Sequence, residues 1–408
     1  MEVLYPRCAG LDVHKDTVVA AVRIAADANV EREVKSFGTT TSELLRLADW
    51  LMGYGCSHVA MEATGVYWKP VWAVLESAEA FELVLANAHH VRNVPGRKSD
   101  VNDATWLSDL LAHGLIRPSF VPPAHVQQMR DLSRTRKQLV REITAHTLRI
   151  QKLLETANIK LSSVLSDVLG KSGRAILDAI VSGQSDPRLL AKLVAPNVKA
   201  SSDELAEALR GHITDHHRFL LKMHLQQVDN LNEAVRALEE RLGDALQPFR
   251  DKVELIVQIP GFDTQSARAL LSEIGTDVTR FARPENLVSW ACLCPRLDES
   301  AGKHHNTRTR KGARWLRPVL VQAAWNAVRT KNSYLRAKYL RLRARRGNKK
   351  AIVAVAASML RAIWHMLCDR HPFNDPGPAH YDRQNRSRTA RRLVRKLEGL
   401  GYKVSLAA

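Results

Sequence analysis

Two adjacent prolines, Pro122 and Pro123, divide this sequence into two kinds of pattern. Before them, apolar runs of strand length alternate with helix-length amphipathic runs. After them, the periodicity is helical throughout. A chain patterned this way is confined to an α/β domain followed by helical ones. At about 100–200 residues per domain, the 408 residues give two or three domains.

The N-terminal pattern is legible element by element. RCAGLDVH (7–14) is apolar and ends in charge, TVVAAVRIA (17–25) is rich in β-branched residues, and EREVKSFG (31–38) alternates as an edge strand does. TTSELLRLADWLMGYG opens with Thr and Ser, carries Glu at the capping-box position and closes at Gly, so it reads as a helix with both end signals. HVAME (58–62) and FELVLANA (81–88) are further strands, separated by the helix VYWKPVWAVLESA. SDVNDATWLSDLLAHG (99–114) is a helix closed by Gly114. Residues 1–122 are therefore expected to form an α/β domain with a mixed sheet.

Beyond the prolines, a helical pattern runs from about 125 to 157, with Leu132, Leu139, Ile143, Leu148 and Leu153 on a roughly heptad track. A second long helix runs from about 215 to 247. Together they predict an antiparallel coiled-coil arm or a dimerising pair over 123–250, with an inserted helical segment at about 158–214. Residues 251–372 form a third, mostly helical unit. It opens with KVELIVQIPGFDTQSARALLSEIG, which reads as helix, tight Pro-Gly turn and helix. The tail, 373–408, is basic and contains one short helix.

Charge narrows the function. There are 61 Lys and Arg against 42 Asp and Glu, a net +19. Between Glu299 and Asp369 there are 17 Lys or Arg and no acid. Such a balance points to a polyanionic partner, nucleic acid before an anionic membrane. With 45% hydrophobic and 25% charged residues, wholesale disorder, collagen-like repeats and a disulfide scaffold are excluded. No uninterrupted apolar run of membrane-spanning length and no leader-like start is read, so neither a transmembrane span nor export is expected. The five cysteines are then expected to be reduced thiols. Cys292-x-Cys294 lacks a second ligand pair at finger spacing.

Four carboxylates stand out. Asp12 ends the first strand, Glu62 ends the fourth in AMEATG, and Asp100 and Asp103 lie three residues apart on one helix face. Acids at strand ends near a helix N-terminus occupy the edge where α/β sheets keep their sites. Hard divalent cations take oxygen ligands, and metal-assisted phosphoryl chemistry uses clustered carboxylates. Taken singly, a strand-end Asp is also a turn or cap residue. Asp100 also suits an N-cap, and Asp103 a first-turn charge. Glu62 weighs more, because a carboxylate ending an apolar strand wants a partner.

A second constellation is CPRLDESAGKHHNTRTRKGARWLRPVL. Ser300 is flanked by small Ala301 and Gly302 and followed by Lys303, Arg308, Arg310, Lys311, Arg314 and Arg317. A serine that attacks a phosphodiester needs access and nearby positive charge. A turn serine in a basic DNA-contacting loop has the same surroundings.

These residues carry a resemblance. GLDVHKD, MEATGVYW and GRKSDVNDA are similar to the N-terminal domain of the insertion-sequence transposase family numbered one-ten, whose relatives include the Piv and MooV DNA invertases. The resemblance extends to IPGF, SARALLSEIG, WACLCPR, ESAGK and RTRKGARWLR in the C-terminal unit. It implies an RNase-H-like (RuvC-like) domain with an Asp-Glu-Asp-Asp cluster, here Asp12, Glu62, Asp100 and Asp103, holding Mg²⁺. It implies that Arg97 and Lys98 hold the phosphate backbone. It implies that Ser300 is a nucleophile forming a covalent link to DNA, and that Gly261 lies in a helix-hairpin-helix whose amides bind phosphate. Ser-Ala-Gly stands where several members have Ser-Gly or Ser-Ser/Thr-Gly-Gly, a mild departure because Ala is also small. The implied partners are element-end and target DNA, a non-coding bridge RNA and further copies of the chain as a dimer or tetramer, with no membrane. The implied location is the bacterial cytoplasm, at the nucleoid. A RuvC-like metal-dependent nuclease or junction resolvase without a covalent intermediate is the alternative.

Overall fold

The computed structural model describes the chain except residues 1, 27–28, 64, 87–99, 197, 296–298, 301–302, 305–307, 385 and 406–408, and except the side chains at 26, 100–102, 299–300, 303–304, 382, 384, 386, 388–389, 392 and 396. It divides into two compact units, Met1–Pro122 and Pro123–Ala408.

The first unit is built on a five-stranded mixed sheet of order β3-β2-β1-β4-β5. Its strands are β1 (Arg7–Val13), β2 (Thr17–Ala26), β3 (Asn29–Gly38), β4 (His58–Glu62) and β5 (Glu82–Ala86). The first three pair antiparallel, while β1–β4 and β4–β5 are parallel. The helices are α1 (Thr41–Gly53), α2 (Trp68–Ser77) and α3 (Asp100–Ala112). β1 is the central strand and is buried along most of its length, as its apolar run requires. β3 is exposed along all but its last two residues, and Glu31, Arg32, Glu33 and Lys35 place charge on that free edge.

Alternation along the strands sorts side chains between two faces. Ala9, Leu11, Val13, Val59 and Met61 pack with Leu44, Leu47 and Leu51 of α1 and Val71, Trp72 and Leu75 of α2. Cys8 and Ala60 point the other way, onto Leu111 and Ala112 of α3. Gly10 lies on this second face, where α3 crosses so closely that a Cβ would stand 2.2 Å from the Ala104 carbonyl oxygen. Arg23 of β2, 4% exposed, anchors the same helix by donating from Nε to Asp109 at 2.9 Å.

In the second unit, α4 (Ala124–Thr156) and α9 (Asp215–Leu246) run antiparallel. Arg136 pairs with Glu239 at 2.5 Å, His146 meets His224 at 3.2 Å and Thr156 meets His217 at 3.4 Å. The heptad track does not become one continuous apolar seam, since Leu148 is 60% exposed. Burial is confined to the two ends. Val126 and Met129 join Leu242 and Leu246 in one core, while Ile150 and Leu154 join Leu221, Leu225 and Val228 in another. Between them the two helices are half-buried and mix apolar residues, such as Leu139, Ile143 and Leu238, with polar pairs.

The inserted segment supplies α5 (Leu161–Val164), α6 (Lys171–Val181), α7 (Pro187–Ala191) and α8 (Ser202–Ala208). These complete the second of those cores, through Leu161, Ile176, Leu177, Ile180, Leu190 and Leu205. The first of them continues into α10 (Arg250–Val257), α11 (Thr264–Ile274), α12 (Pro284–Trp290), α13 (Leu316–Ala327), α14 (Tyr334–Arg346) and α15 (Asn348–Asp369). A short hairpin of β6 (Glu299–Ser300) and β7 (Lys303–His304) lies between α12 and α13, and α16 (His380–Gln384) and α17 (Arg386–Glu398) end the chain. By length and composition α15 could cross a membrane. Reading for uninterrupted runs passes it over because Arg361 and His365 break it. Val355, Ala356, Met359, Leu360 and Ile363 place it inside the core of this unit.

Candidate active site and nucleic-acid interface

The acids of the first unit are placed by register. Leu11 pairs with Met61 across the parallel β1–β4 ladder, so the next position along brings Asp12 beside Glu62. Both follow the parity of Gly10 and Ala60 and therefore share the face that α3 covers. The Cys8 thiol donates to the Ser108 carbonyl, and Gly10 lies under Ala104, so α3 runs antiparallel to β1. Its first turns, which carry Asp103, thus lie toward the end of β1 that bears Asp12. Asp12 is 13% exposed and pairs with His14 Nε2 at 3.2 Å. Asp100 begins α3, and its side chain lies outside the described residues, as do Arg97 and Lys98 altogether. Among the described residues no three His, Cys, Asp or Glu side chains converge closely enough to hold an ion by themselves. Asp12 and Glu62 nonetheless offer carboxylate oxygen on one face at one sheet end, which fits a hard divalent cation and not a thiolate-seeking one.

The cysteines take no part in this. All five are free thiols. Burial pushes the Cys8 thiol up to about 12 and the Cys56 thiol up to about 11, so neither is a thiolate at neutral pH.

In the second unit, Ser300 is a strand residue and not part of an open loop: it pairs with Lys303 across the β6–β7 hairpin, and Glu299 with His304. The side chains of Ser300 and Lys303 lie outside the described residues. A bridge between Pro295 and Thr309 closes the base of this excursion. Arg310 secures it, donating from Nη2 to the Ser289 carbonyl at 2.8 Å and to its hydroxyl at 2.5 Å. Arg308, Lys311 and Arg314 are exposed, and Arg317 is half-buried.

Gly261 lies between α10 and α11 with φ 95°. A Cβ there would stand 2.2 Å from the Ala323 carbonyl oxygen and 2.7 Å from the Ala327 nitrogen, both on α13. Backbone conformation and helix packing together explain the glycine.

Sequence reasoning missed two groups. Glu273, 5% exposed, accepts from Arg134 Nε at 2.7 Å and Nη2 at 2.8 Å. Arg130 donates to the Ser272 and Glu273 carbonyls, and burial pulls its guanidinium down to about 10, which leaves it charged at neutral pH. Trp315 is ringed by Arg134, Arg141 and Arg314 at 5.7, 5.4 and 5.3 Å from its centroid. Its only signal in the sequence was an aromatic residue embedded in a basic run.

Two family models match. A model of the DEDD transposase domain of IS110 elements covers residues 9–159, and one described as Transposase IS116/IS110/IS902 family covers residues 253–340. A search of curated proteins returns no match. The acid-bearing mixed sheet and the basic helical unit thus belong to a transposase, a DNA-processing enzyme. The chain belongs to the IS110 family of transposases.

Proposed function

We propose that this transposase is a site-specific recombinase of an insertion sequence, which cuts and rejoins DNA through a covalent serine–DNA intermediate. The observation that supports this reading most is the shared register of Asp12 and Glu62 beneath the helix that carries Asp103. In this reading Asp12, Glu62, Asp100 and Asp103 hold Mg²⁺. Bound there, the ion neutralises charge on the scissile phosphate and favours ionisation of the attacking oxygen. The Ser300 Oγ attacks phosphorus and gives up its proton. The bond to one bridging oxygen breaks, and that oxygen leaves as a hydroxyl. A DNA hydroxyl later attacks the phosphoserine, restores a phosphodiester and returns a proton to Ser300. The ester conserves the bond energy, so no nucleotide triphosphate is spent, and the sequence has no G-x-x-x-x-G-K-[ST] loop.

Arg97 and Lys98 bind backbone phosphate beside the acids. Lys303, Arg308, Lys311, Arg314, Arg317 and the amide of Gly261, at a helix-hairpin-helix turn, do so beside the serine. Arg310 contributes charge while holding the hairpin on Ser289. The net charge of +19 suits a protein that holds a bridge RNA as well as DNA, with target choice delegated to base pairing. The α4–α9 pair, with its incompletely buried middle, is the arm through which copies associate as a dimer or tetramer. Residues 251–372 act as the serine-bearing domain and 373–408 as a basic tail.

The test is to trap the intermediate. The full chain is incubated with element-end DNA, Mg²⁺ and RNA transcribed from the flanks of its own gene, then denatured, and labelled DNA on protein is measured. An adduct that disappears in Ser300→Ala and in Asp12→Ala is expected. Cleavage without an adduct would replace this reading with a resolvase-like nuclease.

A further inference from the structure

A pocket of about 360 Å³ opens in the second unit between α4, the turn before α11 and α13. Its walls include Arg134, Lys137, Gly261 and Trp315. The volume lies at the small end of ligand sites, which span about 300–1,000 Å³. It is of a size to admit a single nucleotide.

Charge around the pocket is unevenly matched. Arg134 is neutralised by Glu273, and Arg136 by Glu239. The Asp263 carboxylate caps α11, accepting from the Ser266 amide at 2.7 Å and hydroxyl at 2.6 Å. Lys137, Arg141 and Arg314 have no carboxylate within ion-pair distance among the described residues. Burial and repulsion from Arg141 and Arg136 hold the Lys137 ammonium below its ordinary range, which registers the local excess of positive charge. Trp315 lines the pocket, half-buried, with the guanidinium groups of Arg134, which also lines it, and of Arg141 and Arg314, which lie outside its lining, about its ring.

We infer that this pocket binds one unstacked nucleotide of a single strand, its base against Trp315 and its phosphates against Lys137, Arg141 and Arg314. The inference rests on the nucleic-acid reading of this unit and extends it to residues with no role there, Lys137, Arg141 and Trp315. An aromatic ring set among cations offers both halves of what a nucleotide presents, a flat apolar face and an anionic backbone. A paired duplex offers only the second, because its bases are stacked away. Guanidinium groups already stand within 6 Å of the indole centroid, and a base takes the place of one while that arginine turns to the phosphate. The chemistry is common to DNA and RNA strands.

The test is equilibrium binding of the full chain, without Mg²⁺ and without element ends, to three fluorescent probes: a short oligothymidine, an oligouridine of equal length and an abasic oligodeoxynucleotide. Trp315→Ala is expected to weaken oligothymidine roughly ten- to a hundredfold, the range of one stacked base, and to leave the abasic probe within about twofold. Trp315→Phe keeps a ring and is expected to retain most of the affinity, which separates stacking from misfolding. Arg141→Gln, at an exposed position, is expected to reduce the slope of log affinity against log salt by about 0.7, one phosphate contact on a single strand. Tighter oligouridine would identify RNA as the source of the strand, and tighter oligothymidine DNA. Equal losses for oligothymidine and the abasic probe in Trp315→Ala, or an unchanged slope in Arg141→Gln, would overturn the inference. A chain that forms the serine adduct normally can fail this test, and one that forms none can pass it, so the two readings fail separately.

Discussion

Asp12 and Glu62 sit on adjacent strands and owe their common face to backbone register, whereas Arg134 and Lys137 of α4 and Trp315 of the turn before α13 are far apart in the chain and meet through side-chain packing. The first arrangement survives any change that leaves the ladder intact. It is vulnerable to whatever lifts α3 from the sheet. The second depends on one buried carboxylate, Glu273, that draws α4 onto α11. Acids are thus gathered by the fold's hydrogen-bond pattern, and bases by a few long side chains with one counter-charge.

The largest expected effect is on the acid side. Asp103→Ala should lower strand cleavage by about a thousandfold or more, as removal of several kcal/mol of metal-borne stabilisation predicts, with nucleic-acid affinity kept. Cleavage and filter binding measured on one preparation check this, and retained cleavage would break the proposed role of α3. Next is Glu273→Ala, which removes the carboxylate paired with half-buried Arg134 and 3.9 Å from Arg130. A loss of about 3 kcal/mol is expected in denaturant unfolding, the low end for a broken buried pair because Arg134 is partly solvated. Glu273→Gln, which keeps the shape, should lose less.

Gly10→Ala tests the register argument directly. The added methyl group meets the Ala104 carbonyl, so overpacking of about 1–3 kcal/mol is expected, together with reduced cleavage as α3 shifts. A change on the β3 edge, such as Lys35→Ala, should do neither. The smallest effect is at the rim of the pocket. Asp263→Ala removes the cap of α11 and should cost about 1 kcal/mol. The hydrogen bonds from Ser266 hold this carboxyl below the usual aspartate range. Its contribution is therefore complete above the unfolded value of about 3.9 and is lost as pH falls through the lower folded one. Thermal unfolding of the wild type and Asp263→Ala should accordingly converge in acid.

Much of the first unit was legible because its strands are short, apolar and punctuated. The strands at 7–13, 17–26 and 58–62 fall where alternation and turn residues place them. The long helices were legible as helices, and within one chain their leucine track is only partly buried. Leucines at heptad spacing include Leu148, which faces solvent, while Ile150 and Leu154 carry the burial. Spacing alone does not say which stripe of a long helix meets a partner when the two ends of that helix enter different cores. Gly261 was read for a phosphate, and its packing against α13 is a contact across some sixty residues that no local pattern records.

By itself the sequence determined the order of strands and helices in the first unit, the positions of Asp12 and Glu62 toward strand ends, and the acid-free run after Glu299, since these follow from local periodicity and composition. Only the tertiary structure decided that Asp12 and Glu62 share the face beneath α3, that Ser300 lies in a hairpin closed by Pro295 and Thr309, and that Trp315 sits among Arg134, Arg141 and Arg314. The reason is that each is a meeting of residues remote in the chain. Ladder register and core packing settle such meetings, and neither is written in any window of the sequence.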